Sequence, residues 1–529
     1  MVNSSPQYVG PPSAGYPDAD YATFVSTYKS RSPMLYVGAN DGMLHAIRAD
    51  KGTESFAYIP SPFFSSTASG IPATLPALTN RAYAHKYYVD GTPVTGDAKV
   101  NGNWATVLVS SLGAGGAGIF ALDVTNPDNI TEATASQAVL WEFTNQVDAD
   151  LGYTFGQPSI VKLANGKWAA IFGNGYNSTA VNANADGSAY LYVVFLDRQA
   201  GSQSWVAGTD YLKIPTGTGS KTNPNGLSQP TAADVNQDGI TDYIYAGDLL
   251  GDLWKFDVSN TNPTKWGVPS PQTGTQPRTP LFIATNSSNQ AQPITSPVDI
   301  TRNPAGGFLV LFGTGRYLDT SDPSDQTVQS FYGIWDQNLA VVTTVPRSAL
   351  VQQSILQQVT SKGYMYRMVS QNPVIYGNGS SQKGWYMDLV YPANNPQGER
   401  VAYGPSVRGD RIIFTTLIPS TAQCQNGGTS WLMELQALSG GHLVNISPFD
   451  VNGDRNFTSA DYLPDPQTQI SVPVGGRGST VGITPAPTVT KCGPGRECKI
   501  SSGSSANLET ISESAANPSG RLAWREILH

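Results

Sequence analysis

Charge is what this chain has least of: 13% of its 529 residues are Asp, Glu, Lys or Arg, about half the ~25% of an average globular protein. The few basic residues are scattered and the net charge is −8. No basic stripe exists to track a phosphate backbone, which excludes nucleic acid as a partner. Long apolar runs are missing as well. None reaches the ~18 residues of a transmembrane helix. Histidine is down to His45, His85, His442 and His529, with no HExxH and no Cys/His cluster, so the usual zinc centres are excluded. No G-x-S-x-G nucleophile elbow occurs. Cysteine stops at Cys424, Cys492 and Cys498. The last two bracket the turn CGPGREC and suit a small disulfide loop in an oxidising compartment, leaving Cys424 free or paired outside the chain. Met1–Tyr16 has neither the basic n-region nor the apolar core of a signal peptide and reads as a stretch from inside a longer exported protein.

What is plentiful is turn formers and aromatics: 54 Gly, 38 Pro, 25 Tyr and 10 Trp. That profile belongs to many short strands joined by tight turns, and the chain reads as all-β. Its length exceeds one ordinary core, so it is several small domains or one repeat-built domain.

A pattern recurs: a Pro-containing strand start, a polar turn, a β-branched and aromatic run, a glycine turn, and another apolar strand. GQPSIVKLANGKWAAIFGNGYN (156–177), LSQPTAADVNQDGITDYIYAGD (227–248) and QPITSPVDITRNPAGGFLVLFGTGRYL (292–318) carry it. YVGANDGMLHAIRAD (36–50) and YAGDLLGDLWKFDVS (245–259) match each other, with His45 in the slot of Trp254, which reads as a packing position. Copies recur at roughly 60 to 75 residues, longer than WD40 or kelch blades. One such antiparallel sheet cannot bury both its faces alone, and radial stacking solves this. The expectation is a modified β-propeller of about seven blades over 34–501. Residues 1–33 read as a leader that covers the propeller or joins a missing N-terminal domain. Residues 502–529 read as a mobile tail with a closing segment at 520–527.

Two loops carry the most specific chemistry. DVNQDGITD places Asp234, Asn236 and Asp238 at alternate positions, Gly239 at the sharp turn and Asp242 at the close. Calcium takes six to eight oxygen ligands, and such a curl supplies them, the Ile240 carbonyl included. Asp, Asn and Gly also favour plain turns, but three carboxylates in one short loop repel unless a cation sits among them. No Glu stands at position twelve and no helices flank the loop, so this is not an EF-hand. DVNGDRNFTSAD repeats the spacing with Asp450, Asn452, Asp454, the Asn456 carbonyl, Thr458 and Asp461. There Arg455 replaces the glycine of position six. Arg408-Gly409-Asp410 spells an integrin triplet, although VRGDRIIFTT also reads as a hairpin turn entering an apolar strand. GAGGAG (113–118) matches G-x-G-x-x-G, but a strand follows it, so no pyrophosphate site forms.

The strings YVGANDGMLHAI (36–47), TAADVNQDGITDYIYAGDLLGDLWKFD (231–257), LFGTGRYL (311–318), GGTSWLMEL (427–435) and GRLAWREI (520–527) together resemble the C-terminal domain of the PilC/PilY family of type IV pilus-tip proteins. The resemblance runs along nearly the whole chain. It implies a modified seven-bladed, quinoprotein-dehydrogenase-like propeller with bound calcium on Asp234, Asn236, Asp238, the Ile240 carbonyl and Asp242. It also implies an extracellular place at the pilus tip, contact with minor pilins, pilus extension opposing retraction, and adhesion to host or abiotic surfaces. Two other readings compete with it. A quinoprotein-like dehydrogenase holds its quinone against two adjacent cysteines, and no two cysteines are neighbours here. An integrin-like or lectin-like binding propeller would be unconnected to pili.

Overall fold

The computed structural model describes residues 3–64, 74–198, 204–270, 278–377, 379–422 and 427–516. Strands dominate and group into seven blade sheets, and the fold is a seven-bladed β-propeller. The chain divides into two compact units. The first takes Met1–Asp248 with Trp254–Thr279, and the second takes Leu249–Leu253 with the residues from Pro280 on.

In the first unit, blade one is Gln7–Val9, Met34–Gly38, Leu44–Arg48 and Glu54–Tyr58. Blade two is Val94–Val100, Asn103–Ser111, Gly118–Asp123 and Val139–Thr144, and blade three is Ser159–Lys162, Trp168–Gly173, Ser188–Phe195 and Tyr211–Gly219. Blade four contributes Thr231–Ala233, Tyr243–Gly247 and most of Asp252–Asp257 to this unit. Middle strands such as Trp168–Gly173 are buried along almost their whole length. A strand sandwiched between neighbouring blades has no solvent face, so its sequence (WAAIFG) loses the alternation of a half-exposed strand. Between blades two and three the filling is aromatic: Trp141, Phe143, Phe172, Tyr192 and Tyr211.

The second unit holds blade five (Asp299–Arg302, Phe308–Gly313, Ser330–Asp336, Gly384–Asp388, with Val351–Gln353 added in parallel). Blade six contains Ser406–Arg408, Arg411–Pro419 and Gly428–Gln436, and blade seven is Thr488–Gly493, Arg496–Ser502 and Leu508–Ser514. Phe331 of blade five stacks on Phe414 of blade six with centroids 3.9 Å apart.

Three boundaries differ from the expected ones. The leader is partly blade: Gln7–Val9 pairs with Met34–Tyr36, and the helix Ala19–Tyr28 buries Tyr21 and Phe24, Tyr21 lying 4.7 Å from Trp104. The tail begins later: Leu508–Ser514 pairs along the whole of Arg496–Ser502, because its alternate residues Glu509, Ile511 and Glu513 turn inward although the stretch is Ser- and Asn-rich. The closing segment 520–527 lies outside the described residues. The repeat also breaks inside blade five, where the hairpin Ile355–Ser361/Tyr364–Val369 is inserted between Val351–Gln353 and Gly384–Asp388 and joins the far side of blade six. Cys492 and Cys498 form a disulfide; Cys424 lies outside the described residues.

Candidate metal centre

Asp234–Asp242 joins the strands Thr231–Ala233 and Tyr243–Gly247 of blade four. The Asp234 carboxylate organises the curl. Gln237 N–H donates to its Oδ1 at 2.7 Å and Gly239 N–H to its Oδ2 at 2.8 Å. Asn236 Oδ1 accepts from Asp238 N–H at 2.9 Å, and Asp238 Oδ1 accepts from Ile240 N–H at 2.8 Å. Asp242 closes the ring by accepting from Val235 N–H at 2.8 Å. Outside the loop, Thr241 N–H donates to Lys162 O at 2.9 Å, fastening it to blade three.

These hydrogen bonds to the carboxylates all come from N–H groups of the loop itself, so the negative charges face one another without a cationic side chain between them. Asp242 feels the other carboxylates. Its pKa is raised, first by burial and then by the Asp234 and Asp238 carboxylates, while N–H bonds from Val235 and Asn236 oppose the shift. Among the described residues no three His, Cys, Asp or Glu side chains gather as a ready-made metal cluster. The loop's donors are mixed: three carboxylates, one amide oxygen and the Ile240 carbonyl. An all-oxygen set of this kind suits a hard cation of calcium's size and lacks the Cys and His ligands of the usual zinc centres.

The second loop repeats the first bond for bond. Asp450 accepts from Gly453 N–H at 2.7 Å and from Arg455 N–H at 2.8 Å. Asn452 Oδ1 accepts from Asp454 N–H at 2.8 Å, and Asp454 Oδ1 from Asn456 N–H at 2.7 Å. Arg455, the departure from the usual glycine, adopts φ 65° all the same, and Gly453 takes φ 82° two residues earlier. The first loop has the mirror arrangement, Gln237 at φ 68° and Gly239 at φ 81°. Both curls need two left-handed residues, and each supplies only one glycine for them.

The closures differ. Asp461 is fully buried and accepts from Val451 (2.9 Å), Asn452 (3.2 Å) and Thr458 (2.9 Å) N–H groups. Thr458 is the cap of the short helix Ser459–Asp461, its hydroxyl accepting from Ala460 N–H at 3.2 Å. The side chain at position nine is thus engaged in capping. Tyr366 and Ser361 hydroxyls donate to the Asp450 and Val451 carbonyls, both at 3.0 Å. Arg496, inside the disulfide hairpin, donates to Arg455 O at 2.7 Å.

Two other sequence features are placed by the structure. Arg408-Gly409-Asp410 is a hairpin turn with Gly409 at φ 63°, and Arg408 Nη2 donates to Glu497 Oε1 at 2.5 Å. His45 does not pack as Trp254 does. Its partly exposed ring lies 2.9 Å from Asp41 Oδ2 and 2.5 Å from Glu54 Oε2. Burial pulls its pKa down, but the two carboxylates more than reverse this and leave it raised.

A seven-bladed propeller is a scaffold whose chemistry lies in the loops between its strands. Residues 1–369 match the family model described as the PilY1 beta-propeller domain, and the chain belongs to that family. The "Type IV pilus biogenesis factor PilY1 homolog" of Xylella fastidiosa is 37% identical over 469 residues, 86% of this chain and 30% of the relative. The "Type IV pilus biogenesis factor PilY1" of Pseudomonas aeruginosa strain PAO1 is 38% identical over 488 residues, 85% of this chain and 39% of the relative. The chain therefore spans about a third of the length of these relatives. The crystal structure of the Pseudomonas aeruginosa PilY1 C-terminal domain matches with a TM-score of 0.74 at 33% identity, covering 97% of this chain and 99% of that one.

Proposed function

We propose that this domain is the calcium-regulated part of a pilus-tip protein that promotes type IV pilus extension against retraction, and with it twitching motility and adhesion to host or abiotic surfaces. The observation that carries the reading is the Asp234–Asp242 loop, in which the Asp234 and Asp238 charges act on Asp242, in a chain whose relatives are pilus biogenesis factors. Calcium supplies positive charge there. The loop's own residues do the rest: Asp234 and Asn236 hold the curl, and Asp242 closes it onto Val235, just after the preceding strand. A filled loop is rigid and an empty one is under repulsion, so a partner on that surface meets two different affinities. The partners proposed are minor pilins of the pilus machinery, outside the cell. No helix among the described residues is long and apolar enough to cross a membrane.

The test is genetic. A strain carrying Asp238→Ala in this domain is expected to keep the protein but lose calcium-dependent surface piliation and twitching. Normal twitching and normal surface pili in a strain lacking the domain altogether would overturn the role.

A further inference from the structure

Four charged side chains are shut inside the second unit. Arg411 lies on Arg411–Pro419, Glu434 on Gly428–Gln436, Lys499 on Arg496–Ser502 and Glu513 on Leu508–Ser514. Their side chains are 4%, 0%, 1% and 0% exposed. Arg411 binds Glu434 Oε1 and donates to Ser514 O at 2.9 Å. Lys499 Nζ donates to Glu434 Oε2 at 2.5 Å and touches Glu513 Oε2. The strand register puts Lys499 opposite Ile511 and Glu497 opposite Glu513, so Lys499 and Glu513 are diagonal neighbours on one face. Neither Glu513 oxygen accepts a hydrogen bond.

The two carboxyls are in different situations. Glu434 is held ionised: burial would raise its pKa, but Lys499 and Arg411 outweigh that and lower it. Glu513 is fully buried, and its carboxyl touches Lys499 Nζ without a regular hydrogen bond to any group. Burial also lowers the Lys499 pKa, against the pull of Glu434. An amine and a carboxyl held in contact away from water become the reactant pair for an amide once the proton passes from nitrogen to carboxylate, which a low-dielectric site favours. Fixed contact replaces the encounter that makes such condensation slow in solution.

We propose that Lys499 and Glu513 condense into an intramolecular amide bond, with Glu434 as the proton carrier. The Lys499 Nζ lone pair attacks Glu513 Cδ, forming the N–C bond. Glu434 takes a proton from that nitrogen and passes it to the departing hydroxyl. One Cδ–O bond breaks and one water leaves. Nothing is oxidised or reduced, and no co-reactant is needed. Glu434 is the poorer acceptor because a carboxylate resists attack by an amine. The bond pins Leu508–Ser514, the last strand of its sheet, whose other side is held by an isolated bridge from Glu513 to Phe449.

The experiment is mass spectrometry of the wild-type protein, denatured and with its disulfide reduced. The expected mass is that of the sequence less one water. Trypsin is expected to leave Lys499 uncut, giving a peptide spanning 497–521 that is lighter by one water and linked at Glu513 in its fragment spectrum. Lys499→Met is expected to restore the full mass, and Glu434→Gln to leave the protein uncrosslinked. Wild-type protein at full mass with normal cleavage at Lys499 would overturn the proposal, leaving an ionic network only. A link to Glu434 would overturn it equally, as would full crosslinking in Glu434→Gln. The wild-type peptide map decides the matter whether or not the variants fold.

Discussion

The two acidic loops share one hydrogen-bond scaffold and differ in how they end. In the blade-four loop, Asp242 is squeezed: buried, near two other carboxylates, and raised in pKa. In the later loop, Asp461 is fully buried too, yet it is supported by three N–H donors and a helix cap. The first closure keeps a carboxyl near two others, while the second is satisfied by backbone donors of the protein. Under the calcium reading proposed above, the same D-x-N-x-D spacing makes the first loop the stronger responder and the second the weaker.

Calcium itself separates them most strongly. A ligand at a hundredfold excess over its Kd adds about 2.7 kcal/mol to stability. The blade-four loop is expected to deliver this in thermal melts with calcium, and Asp238→Ala to abolish it. Asp454→Ala is expected to remove a smaller part.

In chelator the order reverses. Asp461→Ala strips the acceptor from three N–H groups and is expected to cost about 2 to 3 kcal/mol, whereas Asp242→Ala, which also relieves repulsion, is expected to cost less than about 1 kcal/mol. Equal losses in urea titrations would erase the distinction drawn here.

The strained residues give a smaller contrast. Gln237→Gly and Arg455→Gly each remove a left-handed non-glycine worth about 1 to 2 kcal/mol, offset by up to about 1 kcal/mol of glycine entropy. A net gain of about 0.5 kcal/mol is expected at both positions, read from denaturation midpoints. A loss at Gln237 would mean that its side chain has a role beyond the turn.

The smallest effect is the pH slope of the calcium-free protein. The folded pKa of Asp242 lies above its ordinary value of 3.8, so its contribution to stability is complete below that value and is lost as pH rises through the folded pKa. Asp242→Asn is expected to flatten this slope in chelator. An unchanged slope would place the strain elsewhere.

Much of this was legible in the sequence because it is local. Turn chemistry, apolar runs and the acidic spacing marked the blades, and both loops stand where the spacing put them. What escaped depends on partners distant along the chain. The hairpin at 355–369 joins blade six through pairing of Tyr366 with Arg477, which no local pattern encodes. Leu508–Ser514 was hidden because its inward residues are Glu509, Ile511 and Glu513, and buried glutamates do not read as a strand face. The signal for the Lys499 network was there only as ordinary Lys and Glu residues. Thr458 was read as a ligand, and the three-residue helix that it caps became visible only in the structure.

The most direct test is calorimetric titration of calcium into chelator-treated protein, run beside Asp238→Ala. The account predicts a binding event in the wild type that disappears in the variant, with any residual event assigned to Asp450–Asp461. No heat in the wild type up to millimolar calcium, or an undiminished event in Asp238→Ala, would contradict it.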